Sequence, residues 1–356
     1  MSDRKYPSGD DRKATRNTRH GPPPGTRTRP AGSGVHRTLL QCAGVCRSAR
    51  FGIQAIGSHW VINSVVIGAS GFIGQHLGSA LVGRGRCVGY DLAESASRDF
   101  EIRPCNIARE SVEFPGNTDA VFYLAQFPGY RAFPTGGGDL WAVNVAGALR
   151  AIEAARTVGA RAFIYASTGT VYAPDFEPLK ETCPVRRDDP YALSKVAAEE
   201  ALALVDAPPI CCVRLFGVFG PGQKTMLVPA LASRIRDGRA VTLEAHPHDP
   251  DDRDGLRISL TDVSDVCRGM IALAERMIAG SDTPRILNLA AREAVSIRHA
   301  AEAIGRVVGV QPHFEPAGHS RTGDYIADTT LMQQILKFET TPFDAAVARA
   351  LAPHAL

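Results

Sequence analysis

Two features of this chain predict an α/β fold with a doubly wound parallel sheet. Residues 61–67 form a short apolar run rich in β-branched residues, and the string Gly68-Ala69-Ser70-Gly71-Phe72-Ile73-Gly74 follows directly. Strand-like and helix-like segments then alternate through residue 216, the pattern of parallel strands joined by helical crossovers.

Each element has its own reason. Residues 61–67 read as a buried strand. Phe72–Val82 carries helical spacing. Residues 86–91 form a second strand ending in an acid, Asp91. Residues 120–125 and 161–167 are further strands, with a long helix over 140–158 between them. Residues 190–205 make a helix opened by Pro190, where a missing N–H does no harm. Residues 210–216 are the next strand. Beyond Gly217 the pattern loosens: a helix over 228–236, an Asp-rich polar loop over 245–254, a strand at Ile286–Leu289, a helix over 296–308 opened by a serine, and helical pieces over 331–336 and 342–351. Residues 61–216 are thus expected to form the main domain. Residues 217–356 are expected to form a smaller α/β lobe over the strand ends, with some segments returning to the main sheet.

Composition narrows the function classes. The 356 residues are 44% hydrophobic and 22% charged, which suits a globular protein with a sizeable core. The net charge of +3 hides an asymmetry: residues 1–60 hold eleven Lys/Arg against three Asp/Glu, so the body is mildly acidic. No basic stripe suggests nucleic-acid binding, and no apolar run approaches the length of a membrane span. The eight cysteines form no CxxC pair, so they read as reduced thiols of a cytoplasmic protein. Cys42 and Cys46 lack nearby ligands for a metal, and no metal is expected. Residues 1–60 are rich in Arg, Pro and Gly. They are expected to be a disordered extension that plays no part in the fold, as a start site placed too far upstream would give.

The chemistry lies in four places. The turn Gly68-x-x-Gly71-x-x-Gly74 between a strand and a helix lets backbone approach a pyrophosphate, and the helix start offers free N–H groups. A tight turn with no ligand would use the same glycines. Asp91, at the end of the second strand, can accept hydrogen bonds from both ribose hydroxyls and would repel a 2′-phosphate, which favours NAD over NADP. It could also serve as a cap. Tyr191 and Lys195 lie four residues apart on one helix face. A phenol titrates near pH 10, and an adjacent ammonium lowers that value, so Tyr191 can exchange a proton with a substrate hydroxyl. The string Tyr165-Ala166-Ser167-Thr168-Gly169-Thr170-Val171-Tyr172 ends the preceding strand. Thr168 is the better candidate there to hydrogen-bond the reacting oxygen, and Ser167 the runner-up.

With these strings in place, the chain over about residues 61–345 resembles an extended short-chain dehydrogenase/reductase of the NAD-dependent epimerase/dehydratase family. It is similar to nucleotide-sugar 4-epimerases in particular. Arg214-Leu215-Phe216-Gly217-Val218-Phe219-Gly220-Pro221-Gly222 resembles the family's RxFNxxGPG, and Asn288-Leu289-Ala290, Ser296-Ile297 and Arg321-Thr322-Gly323-Asp324 resemble its C-terminal half. The resemblance implies a Rossmann-type NAD site at Gly68, Gly71, Phe72, Ile73, Gly74 and Asp91. Asn106 and Ile107 would flank the adenine. Leu124, Ala125, Gln126 and Ser167 would line the cofactor, and Asn144 would brace the site. Thr168, Tyr191 and Lys195 take the catalytic positions, and Arg321 would grip a substrate diphosphate. Gly217 stands where an Asn usually contacts substrate, and Met226 where a second Asn is common. Arg257 is displaced by one residue from the family's spacing to Asp265.

The resemblance implies epimerisation, in which a sugar C4 hydroxyl is oxidised to a ketone, the keto-sugar turns, and reduction follows on the other face. Gly169-Thr170 replaces the Asp-Glu that dehydratases of the family usually carry after the threonine. Dehydration, decarboxylation or net reduction are other outcomes of the same oxidation, and a non-catalytic NAD-binding protein is a further alternative. The helices over 140–158 and 190–205 resemble those of a four-helix homodimer interface.

Overall fold

The computed structural model describes residues 55–56, 59–92 and 99–352. Seven parallel strands form one sheet: β1 (Ser64–Ile67), β2 (Cys87–Asp91), β3 (Glu101–Pro104), β4 (Ala120–Tyr123), β5 (Ala162–Thr168), β6 (Ile210–Leu215) and β7 (Ile286–Leu289). Their order across the sheet is β3-β2-β1-β4-β5-β6-β7. Chain direction across the sheet therefore reverses between β1 and β4, the place where open α/β sheets leave a crevice at their carboxyl ends. Every residue of β1, β4, β5 and β6 is buried, as continuous apolar strands require.

Helices cover both faces. On one, α1 (Phe72–Val82) buries Leu77 and Leu81 beside Met270 and Leu273 of the later helix Val263–Ile278 and Met332 of the helix Thr330–Leu336. On the other, α2 (Ala148–Thr157) and α3 (Pro190–Ala203) bury Ala151, Ile152, Ala198 and Leu202. Segments beyond residue 216 thus share the main core. A separate cluster, centred on Phe219, Val228, Leu231, Ile235, Ile304 and Val347, unites α4 (Leu227–Arg236) with the remaining C-terminal elements over the strand ends.

Three features depart from the expected outline. The strand Glu101–Pro104 is a short sheet edge with only Ile102 buried, so its polar sequence carries no apolar signal. The helix expected over 140–158 is a continuous helical stretch, 137–157, interrupted by a π-helical segment at Ala142–Gly147 that contains Asn144. Of residues 1–60, Ala55–Ile56 and His59–Trp60 pair as a small antiparallel ladder rather than being disordered. The rest of that expectation lies outside the described residues.

Candidate active site

The turn after β1 is shaped by its glycines. Gly68 has φ +84°, and a Cβ on it would meet the Ala125 backbone N at 2.6 Å. A Cβ on Gly74 would lie 2.2 Å from the Gly68 carbonyl oxygen, so only glycine lets α1 start this close to the strand. Gly71 caps α1 in extended conformation with no side-chain cap. The first N–H groups of the helix are therefore left for a ligand. Asp91, at the end of β2, is bonded to the turn: its Oδ2 accepts from Ser70 N at 2.9 Å and its Oδ1 from Leu92 N at 2.8 Å.

These residues open onto a cavity of about 1220 Å³, lined by Gly68, Gly71, Phe72, Ile73 and Gly74, then by Leu124 and Gln126, and across from them by Ser167, Thr168, Tyr191 and Lys195. The wall beyond is largely apolar and includes Gly217, Met226, Leu227, Leu256, Ile258, Leu260 and Tyr325.

Helix α3 presents the reactive face. Asp189 caps it, accepting from Ala192 N at 2.7 Å, and Pro190 begins it. Tyr191, Lys195 and Glu199 then fall at successive helical turns. The Tyr191 hydroxyl donates to Gln126 Oε1 at 2.9 Å, and the Tyr130 ring stacks on it with centroids 4.5 Å apart. Burial raises the Tyr191 pKa above that of an ordinary phenol, while a hydrogen bond with Thr168 acts in the opposite sense. Lys195 is 2% exposed; its Nζ donates to the Ala166 carbonyl at 2.8 Å and lies 6.0 Å from the centre of the Tyr191 ring. Burial pushes the Lys195 ammonium down to about 7, against the opposing pull of Glu199.

Two hydroxyls stand at the end of β5, and their partners differ. Ser167 Oγ donates to Glu199. Thr168 Oγ1 lies 3.0 Å from Thr170 Oγ1, to which it donates, and accepts from Thr170 N at 3.2 Å. The Ser167 proton is thus committed to a buried carboxylate, whereas the Thr168 hydroxyl stands at the cavity wall beside Tyr191.

A buried network holds this arrangement. Arg214 donates to Glu199 from Nη2 at 2.6 Å and from Nε at 3.0 Å, a two-pronged pair with both side chains buried. Arg214 Nη1 donates to the Tyr172 hydroxyl at 2.7 Å, and that hydroxyl donates to Asn288 Oδ1 at 2.9 Å. Asn144, fully buried, ties the loop after β4 to α3: its Oδ1 accepts from Phe127 N at 3.2 Å and its Nδ2 donates to Ser194 Oγ at 2.9 Å. Motif and resemblance alone do not mark Glu199, Tyr130 or the Gln126–Tyr191 contact. The spacing Tyr191, Lys195, Glu199 would have identified the first.

Several expected site residues lie elsewhere. Asp91, Ala125, Asn106, Ile107 and Asn144 do not line the cavity. Ile107 belongs to the core, and the Asn106 side chain accepts from Ala108 N in its own turn. Asn144 therefore acts as a brace rather than a cofactor contact. Arg321 is the clearest correction. It is 3% exposed, absent from the cavity wall, and held by Asp252 at 2.6 Å and Asp324 at 3.0 Å. Its guanidinium is paired within the C-terminal half rather than open to the cavity. Arg257 is likewise outside the wall and pairs with Asp252 at 3.3 Å.

Two glycines on the substrate side have a steric reason. Gly217 has φ +45°, and a Cβ there would meet the Ser259 carbonyl oxygen at 2.7 Å. A Cβ on Gly169 would meet the Phe216 ring at 2.6 Å.

The model of the NAD-dependent epimerase/dehydratase family matches residues 64–290, more than half of the chain. A UDP-glucose 4-epimerase of Streptomyces lividans is 25% identical over 267 residues, covering 69% of this chain and 80% of that protein. A UDP-N-acetyl-alpha-D-glucosaminuronate decarboxylase of Bacillus cytotoxicus is 25% identical over 309 residues, covering 77% and 91%. Among solved structures, MoeE5 in complex with UDP-glucose and NAD superposes with a TM-score of 0.66 at 26% identity, covering 81% of this chain and 97% of that one. This chain belongs to the NAD-dependent epimerase/dehydratase family of enzymes.

Proposed function

We propose that this protein interconverts C4 epimers of a nucleotide sugar, most simply a UDP-sugar, through a transient keto-sugar. The observation that carries the reading is the convergence of Thr168, Tyr191 and Lys195 on one wall of the cavity, opposite the glycine turn. The turn fits NAD: Gly68 and Gly74 leave no room for side chains, the start of α1 lacks a side-chain cap, and the Asp91 carboxylate is bonded to the turn through Ser70 N. When bound there, NAD supplies a reversible acceptor for the hydride on the carbon bearing the hydroxyl.

The chain's own residues handle the proton. Tyr191 takes it from the substrate hydroxyl and later returns it, with the Lys195 ammonium stabilising the phenolate. Binding must first break the Tyr191–Gln126 hydrogen bond, which holds the phenol proton away from that exchange. Thr168 hydrogen-bonds the same substrate oxygen. Dehydratases of the family usually carry Asp-Glu after the threonine; here Gly169-Thr170 follows Thr168, and a Cβ at Gly169 would meet the Phe216 ring. The exposed Trp141 and Leu149, on the helical stretch 137–157, suit a second copy of the chain, and we include a homodimer in the proposal. A cytoplasmic site belongs to the same reading, supported by the free thiols of Cys87, Cys105, Cys183, Cys211, Cys212 and Cys267. Among the described residues no helix is long and apolar enough to cross a membrane.

Incubation with a panel of UDP-, dTDP- and GDP-sugars and separation of products tests the reading. The expected result is a pair of C4 epimers with no net change in NAD. Loss of carbon dioxide or water from the product, or net consumption of the cofactor, would replace epimerisation with another outcome of the same oxidation.

A further inference from the structure

We propose that Lys224 is the cation that holds the substrate's diphosphate, the role expected of Arg321. This rests on the nucleotide-sugar reading above and adds the residue on which that substrate's charge is held.

The charges around the cavity carry the inference. Among the described residues that line it, there is no Asp, Glu or Arg; the side chains able to bear positive charge are His76, Lys195 and Lys224. Such a wall suits an anionic ligand, because a buried diphosphate needs a counter-charge. Lys195 is committed to the Ala166 carbonyl beside the reacting hydroxyl, and His76 Nε2 lies 3.0 Å from the Pro221 carbonyl. Lys224 is exposed to the cleft and makes no hydrogen bond or ion pair with any described residue.

The neighbouring groups point the same way. Gln223 Nε2 donates to the Val218 carbonyl at 2.9 Å, while its Oε1 is buried without a partner and is free to accept from a sugar hydroxyl. Met226 begins α4 without a side-chain cap, so the first N–H groups of that helix are open on the same side of the cleft. Arg321 and Arg257 are both drawn off by Asp252. A lysine is also well suited here, because its charge sits on a flexible stem that can follow a diphosphate.

Titration of UDP into the full-length, NAD-saturated protein tests this, with Lys224→Gln and Lys224→Arg alongside. We expect Lys224→Gln to weaken UDP binding by at least ~10-fold, the scale of one lost charge-assisted hydrogen bond. KM for a UDP-sugar should rise in parallel, kcat should stay within about threefold and NAD affinity should hold. Lys224→Arg should retain most of the UDP affinity, and added salt should narrow the gap between wild type and Lys224→Gln. Unchanged UDP affinity and KM in Lys224→Gln overturn the proposal, and a loss seen only in Arg321→Lys would return the diphosphate to Arg321. Binding of UDP through Lys224 without turnover of any UDP-sugar would sink the reaction proposed above while leaving this subsite in place.

Discussion

Arg321 and Asp252, 69 residues apart in the chain, are joined by a 2.6 Å hydrogen bond from Nη2 to Oδ2 inside the C-terminal half. Asp324 takes the guanidinium's Nε, and the Phe176 ring lies 5.5 Å from its carbon. The Asp252 carboxyl is held below the usual carboxylate range by Arg321 and Arg257, although burial opposes that shift. The pair removes an arginine from the cleft and fastens the Asp-rich loop to the segment that follows residue 320.

Breaking this pair should cost stability rather than cofactor affinity. Asp252→Ala leaves one edge of a buried guanidinium without its partner, and we expect a loss of about 2–3 kcal/mol in urea unfolding, toward the low end for a broken buried ion pair because Asp324 remains. NAD affinity should not change, since neither residue lines the cavity. An unmoved urea midpoint would show that the loop does not depend on the pair.

Tyr191→Phe should separate binding from chemistry. The ring and its stacking on Tyr130 persist, but the proton-exchanging hydroxyl is lost. We expect NAD binding to persist and turnover to fall at least ~10²-fold, the scale of lost general acid–base catalysis. Turnover equal to wild type removes Tyr191 from the reaction.

The buried Lys195 should leave a mark on the pH dependence of stability. Its folded value of about 7 lies below the ~10.4 of an exposed lysine. Between those values the unfolded state holds more protons than the folded one, so this group makes stability rise with pH across the window. Below pH 7 the buried charge is carried in full and the contribution is at its least favourable. Comparison of NAD-free wild type with Lys195→Met by denaturant unfolding from pH 6 to 10 should show the wild type gaining relative to the variant, by up to about 1.4 kcal/mol per pH unit. Parallel profiles would mean that Lys195 stays charged throughout.

Met226 has φ 81° and ψ −172°, a region otherwise occupied by glycine. Its side chain is 54% exposed, so removing it gives up little packing. Met226→Gly relieves strain of about 1–3 kcal/mol, partly offset by the greater freedom of glycine in the unfolded chain. A net gain of about 1 kcal/mol is expected, seen as a rise of roughly 2–4 °C in Tm. A lower Tm would mean that the methionine's contacts, including that with Arg131 at 4.0 Å, outweigh the strain.

Much of the architecture was legible in the chain, because short-range patterns write it there. The apolar β-branched runs mark the buried strands, and Phe72–Val82 matches its observed helix end to end. Pro190 behind an Asp189 cap marks the start of α3. The edge strand Glu101–Pro104 was illegible because it buries one residue. The parallel pairing of Val241–Ala245 with Phe314–Ser320 was illegible because its partners lie far apart in sequence and mostly face solvent.

The site divides in the same way. The sequence by itself determined the glycine turn, Asp91 and the Tyr191–Lys195 face, since each depends on local backbone freedom or on the period of a helix. Only the tertiary structure decided which side chains are occupied. Ser167 is committed to Glu199, Tyr191 to Gln126 across 65 residues, and Arg321 to Asp252, while Lys224 is left facing the cleft. An ionic side chain can act on a ligand only when no nearer partner has claimed it, and such partners are brought together by packing rather than by spacing along the chain.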